Sequence, residues 1–198
     1  SGIYRNVWLI AANPVHIAQW GVFAFPKNLT AKQGILSVEV EVENSSSQHA
    51  SLLVNNELID SSGKVVAKNS KKLAVAALQN GKIQTEIKVS NPVLWDLENP
   101  TLYTLKTTVL QNGKTIDQTA TATGFRTFTF DPDKGFALNE KWMKMKGVCL
   151  HHDAGVLGSA VPREVWRNRL MTLKELGVNA IRTSHNPQAP EMYQMCDE

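Results

Sequence analysis

Between residues 15 and 130 the chain alternates apolar and polar side chains with a period of two. In the segment GILSVEVEVEN, the apolar residues Leu36, Val38, Val40 and Val42 fall on one side, and a serine and three glutamates fall on the other. This alternation is typical of an antiparallel strand with one buried face. Further strand candidates are rich in Thr, Val, Ile and Leu, namely HASLLVNNEL, GKIQTEIKVS, TLYTLKTTVL and KTIDQTATAT.

Short turn sequences separate these strand candidates. Asn112-Gly113 favours a tight hairpin with positive φ angles, and Asn80-Gly81 and Ser62-Gly63 predict further turns. About seven short strands at spacings of roughly 8–12 residues predict an immunoglobulin-like β-sandwich, which we place at residues 14–126. No cysteine lies in this half, so the sandwich is expected to lack an inter-sheet disulfide.

The hydrophobic period changes after the segment FDPDKGFALNEKW, residues 130–142. MKMKGVCLHH predicts a short strand, and VPREVWRNRLMTLKELG predicts a helix with Trp166, Leu170, Leu173 and Leu176 on one face. VNAIRTSHNP predicts a second strand, and QAPEMYQMCDE predicts a second helix. This order is typical of parallel strands with right-handed crossovers. Two such units cannot close a barrel, so the chain is expected to stop inside its second domain.

The composition argues against nucleic acid and membrane as partners. Hydrophobic residues make up 42% and charged residues 20%, which is an ordinary globular balance. The net charge is only +3, and Lys and Arg are scattered among Asp and Glu, so no nucleic-acid partner is expected. The longest apolar runs are too short to span a membrane, so no membrane partner is expected either.

Two further features bear on the cellular compartment. The chain opens without a charged segment followed by an apolar block, so no signal peptide is predicted. The two cysteines, Cys149 and Cys196, are too few for a disulfide framework, and we predict that both are free and buried. The compartment therefore stays open between the periplasm or the outside of the cell and the cytoplasm.

Polar residues cluster at the carboxyl ends of both predicted parallel strands. They are His151, His152 and Asp153 after the first strand, and Arg182, Ser184, His185 and Asn186 at the end of the second. In β/α barrels such strand ends face the functional site. A single histidine there is more often structural, but the same placement on two neighbouring strands favours a site.

This cluster does not match the common catalytic patterns. A zinc site built from His151, Asp153 and His185 is disfavoured because no HExxH or paired CxxC spacing is present. A triad built on Ser184 and His185 is disfavoured because neighbours on a strand project to opposite faces. The two strand ends do not supply one carboxylate each, so these residues cannot complete an acid–base hydrolysis. The remaining imidazoles, Arg and Asn suit the binding of hydroxyl groups.

Several segments resemble glycoside hydrolase family 2. SGIYRNVWL resembles the last strand of that family's N-terminal sugar-binding jelly roll, which we place at residues 1–13, and NPVLWDLENPTLYTL resembles late strands of its immunoglobulin-like domain. The family's linker and first barrel strand are similar to the segment GFRTFTFDPDKGFALNEKWMKMKGVCLHHDAGVLGSA. The helix and strand that follow in the family are similar to LKELGVNAIRTSHNP. The resemblance implies that residues 127–198 hold the linker and two β/α units of an incomplete (β/α)8 barrel. One departure is Glu140, where the family usually has Gly in an Asn-Gly turn, so strain is expected there.

The resemblance also implies a function. HHDAGVLGSA together with RTSHNP is most similar to the β-galactosidase-type members, which are retaining exo-glycosidases that cleave terminal β-galactosides with two glutamates. Both glutamates would lie beyond Glu198, so the chain itself is expected to be an inactive fragment. A β-glucuronidase or β-mannosidase of the same family is the alternative, as is a non-catalytic sandwich that acts as a spacer or a carbohydrate-binding module.

Site roles follow from the resemblance residue by residue. His151 and His185 would contact the sugar, and Arg182 would be a buried orienting residue beneath it. Asp153 and Asn186 are secondary candidates for the same site. The expected partner is a β-galactoside or a related oligosaccharide.

Two further expectations concern cofactors and association. No cofactor or metal ligand is expected in this chain, and any divalent cation of the parent protein would take its ligands from elsewhere. Leu173, Leu176 and Met192 would lack their usual cover in a partial barrel, which predicts self-association through that surface.

Overall fold

The computed structural model describes residues 2–198, and they divide into two compact units. One unit comprises residues 10–127, and the other comprises residues 128–198 together with the N-terminal residues up to Leu9. The first unit is built from antiparallel strands, and the second contains a strand–helix–strand–helix series. This confirms the predicted mostly-β class, a sandwich followed by two β/α units.

Seven strands form the sandwich of the first unit. They are β1 (Val15–Lys27), β2 (Gln33–Asn44), β3 (Ala50–Ile59), β4 (Val65–Val75), β5 (Gln79–Ser90), β6 (Tyr103–Gln111) and β7 (Lys114–Thr123). One sheet has the order β1-β2-β5 and the other the order β4-β3-β6-β7. The alternating residues of β2 that were predicted to face inward, from Leu36 to Val42, are fully buried, as are Val54, Leu105 and Val109 of the opposite sheet. Removal of these side chains from water stabilises the sandwich.

The turn predictions are confirmed in two cases and wrong in one. Asn112 and Gly113 both have positive φ, 51° and 78°, in the hairpin between β6 and β7, and Gly63 has φ 85° in the turn after β3. Asn80-Gly81, in contrast, lies inside β5. Glycine is needed at position 81 because a Cβ there would lie only 2.6 Å from Cγ2 of Val75, so the residue serves close packing rather than a turn.

The second unit begins with a small antiparallel sheet and continues with the β/α units. Its elements are β8 (Phe128–Asp131), β9 (Gly135–Leu138), β10 (Lys141–Met143), β11 (Gly147–Leu150), a 3-10 turn (Gly155–Leu157), α1 (Arg163–Glu175), β12 (Ala180–Thr183) and α2 (Pro190–Asp197). β11 and β12 are parallel. Asn179 fixes where they start, since its Oδ1 accepts from the Lys146 N–H at 2.7 Å and its Nδ2 donates to the Lys144 carbonyl at 3.0 Å.

Two expectations about burial are wrong, and one about the N-terminal segment stays a prediction. Residues 2–13 are assigned to no strand, since none of the described strands pairs with them, and their place at the end of a jelly roll stays a prediction. Cys149 and Cys196 are exposed rather than buried, since Cys149 lies in a sheet of only two strands. Partial burial of the Cys196 sulfur, together with the Asp197 carboxylate, nevertheless raises the pKa of that thiol. Met192 is only 2% exposed, because α2 packs against α1.

The surface expected to drive self-association is therefore smaller than predicted. Leu176 is 75% exposed, whereas Leu173 is half-buried and Met192 is covered. Self-association through this surface stays a prediction. Among the described residues, no helix is long and apolar enough to cross a membrane.

Replacing Glu140 by glycine is expected to stabilise the second unit. Asn139 and Glu140 join β9 to β10 with φ angles of 49° and 66°, and a residue with a Cβ is disfavoured by about 1–2 kcal/mol in this left-handed region. Glu140→Gly should therefore raise the free energy of unfolding by about 1 kcal/mol, as measured by urea denaturation. Glu140→Ala is the control: it removes the same carboxylate but keeps the Cβ, and an equal gain would contradict the strain at this position.

Candidate functional site

The carboxyl ends of β11 and β12 lie side by side and place the residues that follow them at one edge. The parallel register ends with Leu150 opposite Thr183. Beyond it, the Ser184 N–H donates to the Leu150 carbonyl at 2.9 Å, so the two chains stay adjacent for one more residue. The polar clusters predicted from the sequence therefore come together as expected for the carboxyl ends of parallel strands.

His151 and His185 form a ring pair at this edge. Their ring centroids lie 6.0 Å apart, and the planes are nearly perpendicular at 89°. Both residues are exposed, so the polar edges of the imidazoles are accessible to a solute. Two adjacent imidazoles that can donate or accept hydrogen bonds provide a surface suited to a polyhydroxylated ligand.

A second contact joins His152 to Asn186. The amide Nδ2 of Asn186 lies 3.2 Å from Nδ1 of His152. An amide nitrogen can only donate, so Nδ1 is the acceptor in this contact. The contact thereby joins the two strand ends through His152, which is half-buried. The sequence placed His152 in the polar cluster but did not select it as a site residue.

The N-terminal segment reaches the same edge, which the sequence did not predict. The ring of Tyr4 lies 5.8 Å from the ring of His152, at an interplanar angle of 32°. Nη2 of Arg5 donates to the Pro187 carbonyl, although the two residues are 182 positions apart in the chain. No local pattern signals a contact over such a separation.

Two buried polar residues lie next to the carboxyl ends of β11 and β12. Ser184 and Gln188 are each 2% exposed. Gln188 donates from Nε2 to the Leu150 carbonyl at 3.3 Å and from its backbone N–H to the Tyr193 hydroxyl at 3.1 Å. The Leu150 carbonyl thus accepts from the segments that precede and follow His185, which ties the two strand ends together. Ser184 points inward while His185 is exposed, in agreement with the argument against a Ser184–His185 triad.

Arg182 and Asp153 are the two charged residues predicted for the site. Arg182 is exposed in this chain, where it projects from a sheet of two strands, and its role as a buried orienting residue of a whole barrel stays a prediction. Asp153 is exposed as well, and its backbone carbonyl accepts from Nη1 of Arg169 at 3.0 Å. Within residues 2–198, no three His, Cys, Asp or Glu side chains are grouped to hold a metal ion.

Comparison with known families matches both units. Residues 15–126 match the model described as glycosyl hydrolases family 2, and residues 132–198 match the model of that family's TIM barrel domain. The second match assigns the β11–α1–β12–α2 series to part of such a barrel, as predicted.

The individual relatives are named for two different activities. The chain is 40% identical over 196 residues to a β-galactosidase of Bacteroides ovatus, covering 99% of this chain and 23% of that protein. It is 30% identical over 203 residues to a β-glucuronidase of Bacteroides fragilis, covering 100% of this chain and 29% of the relative. A crystal structure of a Bacteroides uniformis β-glucuronidase superposes with a TM-score of 0.92 at 34% identity, covering 99% of this chain and 24% of that one. The chain thus spans only about a quarter of the length of these relatives.

Proposed function

The chain belongs to glycoside hydrolase family 2, and from this premise we propose that it forms part of a retaining exo-β-glycosidase that hydrolyses terminal β-galactosides. The 40% identity to the β-galactosidase of Bacteroides ovatus supports the galactoside as substrate. The β-glucuronidases among the relatives make a β-glucuronide the alternative substrate.

The observation that carries this proposal is the exposed His151–His185 pair at the carboxyl ends of two parallel strands. In the proposed site, these imidazoles hydrogen-bond the hydroxyl groups of the sugar. Asn186 and Asp153 are proposed as further polar contacts from the same two strand ends. Arg182 is proposed as the orienting residue beneath the sugar, where further barrel strands of the complete enzyme would cover a side chain that is exposed in this chain.

The proposed chemistry needs residues other than those described here. Retaining hydrolysis uses two carboxyl groups about 5–5.5 Å apart, one as nucleophile and one as general acid and base. The ends of β11 and β12 do not present two facing carboxylates: Asp153 follows β11, and β12 is followed by Ser184, His185 and Asn186. We therefore place both catalytic glutamates, and any divalent-cation ligands, in other parts of the complete enzyme. The role of this chain is to bind and orient the sugar.

Assay of the complete protein with p-nitrophenyl β-galactoside and p-nitrophenyl β-glucuronide tests this proposal. We expect kcat/KM to be higher for the galactoside by at least about 100-fold, because a site built for a hydroxymethyl group leaves the glucuronide carboxylate without a partner. The 198-residue chain assayed alone should show no turnover.

Every outcome other than the expected one contradicts one part of the proposal. A preference for the glucuronide would contradict the galactosidase assignment and favour the alternative. Turnover by the isolated 198-residue chain would contradict the absence of catalytic glutamates from it. Inactivity of the complete protein on both substrates would contradict an exo-β-galactosidase or β-glucuronidase function.

A further inference from the structure

Tyr4 and Arg5 take part in a closed series of contacts around the second pair of strand-end residues. The Arg5 guanidinium carbon lies 5.4 Å from the centroid of the Tyr4 ring, and that ring lies 5.8 Å from the ring of His152. His152 contacts Asn186 at 3.2 Å, and the next residue, Pro187, accepts a hydrogen bond from Arg5. The series thus returns to the residue from which it started.

These contacts involve the direct chain neighbours of the two proposed sugar-binding histidines. His151 directly precedes His152, and His185 directly precedes Asn186. The contact between His152 and Asn186 therefore lies one residue beyond the His151–His185 pair on both chain segments. The Tyr4 ring packs against the His152 ring, and aromatic rings at this distance attract one another. Arg5 holds the turn that follows His185 through the Pro187 carbonyl.

We propose that Tyr4 and Arg5 are positioning residues of the sugar-binding site, which they influence by holding His152 and the segment Asn186–Pro187. They belong to a segment, residues 2–9, that lies outside both ranges matched by the family models. This inference rests on the proposed function, because its effect on catalysis presumes that the histidine pair binds the substrate. The contacts themselves do not depend on that presumption.

Kinetics of the complete protein test the positioning role. Tyr4→Ala is expected to raise KM for the β-galactoside about tenfold while kcat stays within about twofold, since a misplaced binding group weakens substrate and transition state alike. Arg5→Ala should act in the same direction. Tyr4→Phe keeps the ring and should restore KM to within about twofold of the unchanged protein.

Trp8→Ala is the matched control for these variants. Trp8 lies in the same segment and is 77% exposed, so its loss should leave KM and kcat unchanged. An unchanged KM in Tyr4→Ala would overturn the proposal, as would an equal rise in Trp8→Ala. A fall in kcat with no rise in KM would overturn it as well.

Hydrogen–deuterium exchange of the complete protein separates this inference from the proposed function. Tyr4→Ala and Arg5→Ala should speed exchange in peptides that cover residues 150–156 and 184–190, and Trp8→Ala should not. If the unchanged protein hydrolyses neither sugar, the proposed function fails. Faster exchange in these two peptides then still supports the positioning contacts, and unchanged exchange overturns them.

Discussion

Replacing Phe125 by alanine is expected to lower the free energy of unfolding of the sandwich by about 3–5 kcal/mol. Phe125 is fully buried, and its side chain is the largest of those that solvent does not reach. Its ring packs edge to face against Tyr103 with centroids 5.2 Å apart. The substitution removes a whole ring from a close-packed interior, and the surrounding strands can only partly collapse into the cavity.

Urea denaturation of the 198-residue chain, followed by tryptophan fluorescence, measures this loss. Phe23→Ala is the matched control, because Phe23 lies in the same unit on β1 but is 58% exposed. Its loss should change the free energy of unfolding by less than about 0.5 kcal/mol. Equal effects of the two substitutions would show that Phe125 does not occupy the interior of the sandwich.

Replacing His185 by alanine in the complete protein is expected to lower kcat/KM for the β-galactoside by about 10- to 100-fold. The estimate follows from the cost of leaving a sugar hydroxyl without its partner in the bound complex, about 1–3 kcal/mol. The thermal midpoint should hardly change, because the His185 side chain is exposed and the hydrogen bonds donated by Ser184 and Gln188 stay intact.

Steady-state kinetics with a parallel thermal scan distinguish a binding role from a structural one. His49→Ala is the control, since His49 is an exposed histidine of the sandwich unit, just before β3. It should leave both kcat/KM and the thermal midpoint unchanged. A drop in the thermal midpoint of His185→Ala that accounts for its loss of activity would contradict direct contact with the sugar.

The period-two pattern sufficed to predict the sandwich because each strand buries one face against the other sheet. The inward residues of β2, from Leu36 to Val42, are buried as the alternation requires. The pattern failed where tertiary packing determines the local conformation. Gly81 is typical of a turn, yet it lies in β5, where glycine is needed because Val75 leaves no room for a Cβ. The left-handed position of that connection falls on Leu78 instead, a residue type with no turn signal.

The sequence predicts only those residues of the candidate site that directly follow the parallel strands. His151 and His185 follow parallel strands, so their proximity follows from the β/α order. The exposure of Arg182 could not be predicted, because it depends on which elements cover the sheet. The contacts of Tyr4 and Arg5 with the strand ends could not be predicted either, since residues so distant in the chain meet only once the unit has folded.

The central claim is that the ends of β11 and β12 bind one sugar jointly, and a double-mutant cycle tests it most directly. It compares kcat/KM of the complete protein for His151→Ala, His185→Ala and the double variant on the β-galactoside. We expect each single change to lower kcat/KM, and the double variant to lose at least about threefold less than the product of the single losses, because both rings contact the same ligand. Single variants with unchanged kcat/KM, or losses that multiply independently, would contradict a shared sugar site.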